Sequence, residues 1–175
     1  MTFRRIALLA ATLAAAGLAQ RVAAQPAAVP PALGQHVAAY SAAWGSRDPA
    51  RIPALHTADT VFDLRVDGET PAVGRQAAQA QFARILRDNP GYASTVGKVG
   101  FGPDFVVIEY TIAMDPAVPF ALGRFCYQPT GVAYTVPAID VIRFREGLVS
   151  EKVTFLDTEV IRANSRDTVA LKAGR

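Results

Sequence analysis

The chain has 175 residues, 51% of them hydrophobic, with 18 basic and 15 acidic side chains and a formal charge of +3. That length suits one domain with a real core. The single cysteine, Cys126, excludes an intrachain disulfide, so packing alone must hold the fold.

Arg4 and Arg5 precede a short apolar run, Ile6 to Ala19, and Val22-Ala23-Ala24 supplies small residues for cleavage. Residues 1–24 therefore read as a secretory signal peptide, with an apolar run too short for a transmembrane helix. The mature protein is expected to be periplasmic or secreted, with no stable membrane anchor after cleavage. Arg4, Arg5 and Arg21 would leave with the leader and no acidic residue would, so fifteen basic residues would face fifteen acidic ones. The basic precursor is thus no sign of a nucleic-acid partner. Residues 25–32, Gln-Pro-Ala-Ala-Val-Pro-Pro-Ala, read as an extended linker.

Leu33, Val37, Tyr40 and Trp44 make an apolar stripe at helical spacing and predict a helix over residues 33–47. Asp48-Pro49 predicts the cap and first turn of a second helix, with Ile52, Leu55 and His56 facing inward. Residues 60–66 read as a strand ended by Asp67-Gly68, and residues 75–87 as a third helix with Ala78, Phe82 and Ile85 on its apolar side. Strands follow over residues 92–99, 104–114, 120–127, 132–144 and 148–157, while residues 162–175 read as a flexible polar tail. Helices first and antiparallel strands afterwards indicate an α+β fold.

No repeat, Gly-rich phosphate loop or metal-spaced His/Cys cluster is present, so neither metal nor cofactor is expected. Isolated His36 and His56, and Cys126 in the strand expected over residues 120–127, read as packing or surface residues. The informative stretch is Pro137 to Leu148, where Asp140 lies inside an apolar strand run; a buried carboxylate must stay neutral or find strong partners. Tyr40 on the first helix is either a core tyrosine or a hydrogen-bond donor to a ligand. Asp63 is either an ion-pair partner of Arg65 or a base. Asp157 is either a strand-end aspartate that bonds the next turn or an acid/base. Glu109 and Arg143 suit a solvated or interface face of the sheet. If these groups share one apolar cavity, a neutral Asp140 and Tyr40 could donate to an oxyanion while Asp63 removes a proton.

Tyr40-Ser41-Ala42-Ala43-Trp44-Gly45-Ser46-Arg47-Asp48, Ala58-Asp59-Thr60-Val61-Phe62-Asp63 and Ile139-Asp140-Val141-Ile142-Arg143-Phe144, followed by Gly147, resemble three segments of one superfamily. That superfamily is the nuclear-transport-factor-2-like one, in its SnoaL-like and ketosteroid-isomerase-like branch. The resemblance spans residues 33–161. It implies a cone-shaped, curved antiparallel sheet closed by three N-terminal helices around an apolar pocket, and a homodimer formed through the sheet. It places Tyr40 and Asp140 where ketosteroid isomerases have their oxyanion hole and Asp63 where they have their base. Asp157 falls near the acid/base aspartate of SnoaL-like cyclases. Trp44, Phe62, Phe82, Ile142 and Phe155 are expected to line the pocket. Leu64 follows Asp63 where the isomerases usually have proline, and the Asp63–Asp140 spacing is longer than theirs. The implied function is cofactor-free proton transfer next to a carbonyl, in an isomerase or cyclase. The alternative is a non-catalytic binder of an apolar ligand, or a dimerisation module. A third reading, an epoxide-hydrolase-like site, would need Arg124 in the pocket.

Overall fold

The computed structural model describes residues 31–171. The leader expected at 1–24 and most of the linker at 25–32 lie outside the described residues. No described helix is long and apolar enough to cross a membrane. Helix α1 spans Pro31–Gly45. Its stripe is as the spacing predicts, with Leu33, Tyr40 and Trp44 buried and Ala43 beside them.

The second predicted helix is a single 3-10 turn, Pro53–Leu55. A helix begun at Pro49 would need an N–H on residue 53 to bond the carbonyl of residue 49, and Pro53 has none. Asp48 still accepts from the Ala50 N–H at 2.9 Å, in a turn rather than at a helix start. Strand β1, His56–Leu64, begins four residues earlier than its β-branched character suggests. Strand β2, Ala72–Val73, pairs with it, and helix α2 covers Arg75–Asp88. Strands β3 (Ala93–Phe101), β4 (Phe105–Met114), β5 (Phe120–Leu122), β6 (Phe125–Pro129), β7 (Tyr134–Arg145) and β8 (Leu148–Leu156) follow. Helix α3, Thr158–Ala163, and strand β9, Ser165–Ala170, end the described chain.

Six strands form one mixed sheet in the order β2-β1-β8-β7-β4-β3, and β5-β6-β9 form a second, three-stranded sheet. All pairings in the large sheet are antiparallel except β1 with β8. The α+β cone implied by the resemblance is present, as a curved, unclosed sheet with three helices. One of those helices, α3, follows the sheet rather than preceding it. Within the polar segment expected to be a flexible tail, Ser165–Ala170 form a strand: β9 runs beside β6, with Val169 opposite Cys126. An edge strand solvated on most positions can be polar in sequence, because its ladder hydrogen bonds carry it.

The helices pack on the inner face of the sheet. Trp44, His56, Phe62, Phe82 and Tyr92 form a continuous aromatic cluster, with ring centroids 4.9–5.5 Å apart in its contacts. Phe82 is fully buried beneath Trp44 and Phe62. Burying such a ring stabilises by roughly 1.5–3 kcal/mol, so this cluster fixes where α1 and α2 sit on β1.

Candidate functional site

Between the helices and the sheet lies a cavity of about 100 Å³. Trp44 of α1, Phe62 and Leu64 of β1, Ile112 of β4, Val136 of β7 and Ile161 of α3 give it an apolar wall. Arg84 and Asp88 of α2 and exposed Ala121 of β5 mark the end that reaches solvent. A smaller cavity of about 40 Å³ lies alongside, lined by Tyr40, Ser94, Ile108, Asp140 and Ile142. Trp44, Tyr92, Tyr110 and Lys152 border both.

The wall between them holds one ion pair. Lys152 Nζ, on β8, donates to Asp140 Oδ2 on β7, with both side chains more than nine-tenths buried. Asp140 Oδ1 accepts from the Thr154 hydroxyl at 2.7 Å and from the Tyr110 hydroxyl at 3.1 Å. Burial pulls the Lys152 ammonium below its ordinary pKa, and the Asp140 carboxylate opposes that shift. Lys152 Nζ also lies 5.5 Å from the Trp44 ring centroid and 5.7 Å from that of Tyr40, within cation–π range. Burial raises the pKa of Tyr110 and Tyr92, with the Asp140 charge adding to it, so both hydroxyls keep their protons at neutral pH.

A second buried chain of hydrogen bonds runs beside the pair. The Tyr40 hydroxyl, its pKa raised by burial, lies 3.2 Å from His56 Nε2, and His56 Nδ1 lies 2.9 Å from Thr60 Oγ1. Burial, then the nearby charges of Lys152 and Arg75, lowers the His56 pKa to about 3. A neutral imidazole has one donor and one acceptor nitrogen, so it donates to one of these two hydroxyls and accepts from the other. The indole Nε1 of Trp44 is buried without a hydrogen-bond partner.

Of the residues singled out from sequence, Tyr40, Trp44, Phe62, Asp140 and Ile142 border the two cavities. Phe82 supports Trp44 and Phe62 from behind. Three others point elsewhere. Strand β1 alternates, with Thr60, Phe62 and Leu64 buried, which turns Asp63 to the opposite face. There its carboxylate pairs with Arg65 Nε at 2.7 Å. Phe155 lies on the outer face of β8 and is 47% exposed. Asp157 caps α3, accepting from the N–H groups of Glu159 at 3.1 Å and Val160 at 3.2 Å. The expected neutral, donating Asp140 also meets a different environment, since its three partners are all donors. Arg124 is largely exposed and bonds Asp67 Oδ1 at 2.6 Å, which removes the epoxide-hydrolase-like reading. Sequence reasoning missed Lys152, Thr154, Tyr110 and the His56–Thr60 link. Among the described residues no group of three His, Cys, Asp or Glu side chains could hold a metal ion.

A family model described as a SnoaL-like domain matches residues 37–152. No curated protein matches the chain. A candidate SnoaL-like polyketide cyclase from Jannaschia sp. CCS1 superposes with a TM-score of 0.66 at 21% identity, covering 79% of this chain and 96% of that one. A hypothetical protein of ketosteroid isomerase-like fold from Catenulispora acidiphila, solved with trimethylamine, gives a TM-score of 0.63 at 19% identity, covering 79% and 94%. A candidate polyketide cyclase from Streptomyces antibioticus gives 0.61 at 20% identity, covering 75% and 96%. At these identities the likeness is one of fold.

Proposed function

Since the chain belongs to the SnoaL-like domain family, we propose that it binds a small, mostly apolar molecule bearing one carbonyl-like polar group. The observation that carries this reading is the Lys152–Asp140 ion pair, the one buried on both sides among the described residues, set between a mostly apolar cavity and a smaller one lined in part by tyrosines and serines. Desolvating two charges costs several kcal/mol each and their attraction seldom returns more, so two apolar residues would serve packing at least as well. A ligand oxygen placed against Lys152 would meet an ammonium that keeps donors to spare beyond its bond to Asp140, in a dry setting. Asp140 is then the buried carboxylate nearest to that oxygen, and the reaction class this supports is proton transfer beside the carbonyl. Non-catalytic binding is the second reading, favoured by the fact that both Asp140 oxygens are already occupied.

Two further proposals accompany it. Arg4-Arg5 and the apolar run after them support an exported, periplasmic or secreted protein. Exposed Ile139 and Phe155, directly opposite each other on the outer face of the large sheet, support a homodimer through that face.

Trp44 is the chain's single tryptophan and borders both cavities, so its fluorescence reports on ligand directly. Titration with benzyl alcohol should change Trp44 emission saturably, and Leu122→Phe, which adds bulk at the cavity wall, should weaken that response while leaving the protein folded. A linear, non-saturating response in both proteins would overturn the binding reading.

A further inference from the structure

Among the described residues the two lysines differ completely in setting. Lys98 stands in solvent on β3 with its side chain 85% exposed, whereas the Lys152 side chain is 5% exposed. Lys152 reaches its buried position because β8 sends Lys152 and Thr154 to the inner face, and Asp140 on β7 lies opposite Thr154. Its amine therefore borders both cavities, the larger of them mostly apolar, and touches one fixed carboxylate. A buried lysine gives up its proton more readily than a solvated one, and only the free amine is a nucleophile. Asp140 cannot turn away to follow another proton source, because Thr154 and Tyr110 hold its second oxygen.

We propose that Lys152 is a covalent-catalysis lysine that captures an aldehyde or ketone as an imine. This rests on the reading of the cavity as a site for a carbonyl-bearing ligand. The step balances with the groups in place. Lys152 passes one proton to Asp140 Oδ2, and the freed lone pair forms a C–N bond to the carbonyl carbon as the C=O π bond opens. The proton returns from Asp140 to the carbonyl oxygen, giving the carbinolamine. A second proton moves from nitrogen to that oxygen, the C–O bond breaks and water leaves. One ammonium and one carbonyl thus give one protonated imine and one water, with no outside oxidant or reductant. The cation so formed keeps the Trp44 and Tyr40 ring faces that now lie 5.5 and 5.7 Å from Nζ. Apolar walls disfavour the water that would reverse the capture. The imine draws electrons from the adjacent carbon, so Asp140 is placed to remove a proton there.

The wild-type protein decides the matter. Folded protein at neutral pH is treated with benzaldehyde and sodium cyanoborohydride, which reduces an imine to a stable benzylamine, and the labelled peptides are mapped by mass spectrometry. Lys152 should acquire the benzyl group on the order of tenfold faster than Lys98, because the cavity holds the aldehyde against its amine while Lys98 meets it only from bulk solvent. Excess benzyl alcohol, which carries the same ring as the aldehyde and cannot form an imine, should protect Lys152 and leave Lys98 labelling unchanged. Label on Lys98 with Lys152 untouched overturns the inference. If benzyl alcohol still binds by Trp44 fluorescence in that case, the cavity reading survives alone; if it does not, both fall.

Discussion

His56 shows what burial does to one side chain. Its ring is wholly inaccessible and its pKa falls to about 3, against an ordinary value of 6.5. In the unfolded chain the imidazole takes up a proton as pH drops through 6.5, while in the folded protein it resists until about 3. The unfolded state therefore binds more protons across that window, and stability is fully present above 6.5 and lost progressively as pH falls. His56→Gln should flatten the fall in unfolding free energy between about pH 6 and pH 4 by up to about 1.4 kcal/mol per pH unit. Urea unfolding of the two proteins at several pH values checks it, and parallel pH profiles would refute it. The same burial defines the ion pair. Asp140 was legible in the sequence because an isolated acid in Ala138-Ile139-Asp140-Val141-Ile142 has to be answered by something. The answering lysine was not, because a Lys in a strand reads by default as the solvated face.

A one-residue irregularity in the β7–β8 hairpin decides which residues of β8 face the site. Glu146 and Gly147 both adopt positive φ, the geometry of a two-residue type I′ turn. From that turn the register starts as Arg145 opposite Leu148 and Phe144 opposite Val149. Carried onward unchanged, it would set Asp140 opposite Val153 and bring Val153, Phe155 and Asp157 inward. A bulge between Phe144 and Arg143 shifts the pairing by one, so Asp140 meets Thr154 and the inner set becomes Lys152, Thr154 and Leu156. The apolar character of Val153 and Phe155 reinforces the wrong face, since hydrophobic alternation assumes that the greasier side is the buried one. At β1 the alternation itself was sufficient: adjacent Phe62 and Asp63 cannot both face inward, and the apolar neighbour takes the cavity. Asp157, displaced from the site, does its work at the start of α3. Asp157→Ala should lower stability by about 1 kcal/mol, the usual worth of an N-cap. Thermal unfolding measures this. An unchanged melting temperature would show that the cap bonds contribute nothing.

At the scale of the molecule, the architecture was the most legible property. Helical stripes, strand alternation and Gly/Pro punctuation all act locally, and they placed α1, α2 and most strands within a few residues. What they could not reach was pairing across long sequence separations, such as β1 beside β8 and β9 beside β6. The proposed dimer is argued at this scale as well. Phe155 and Ile139 are directly opposite each other on the outer face, exposed by 47% and 44%. A lysine in place of Phe155 would bury an unpaired charge in any contact made there. Sedimentation velocity should find wild type as a dimer and Phe155→Lys as a monomer. Two identical sedimentation profiles would remove this face as the interface.

The placement of β8 also sets a timetable. Synthesis delivers β1 early, but its long neighbour in the sheet is residues 148–156, and β2 covers only Val61 and Phe62 of it. Until those nine residues leave the ribosome, most of the β1 edge has nothing to bond, and β3, β4 and β7 cannot be joined to it. Lys152 is carried by the same nine residues. The segment that locks the two halves of the sheet together thus also delivers the amine, so no nascent intermediate can hold the site without holding the fold.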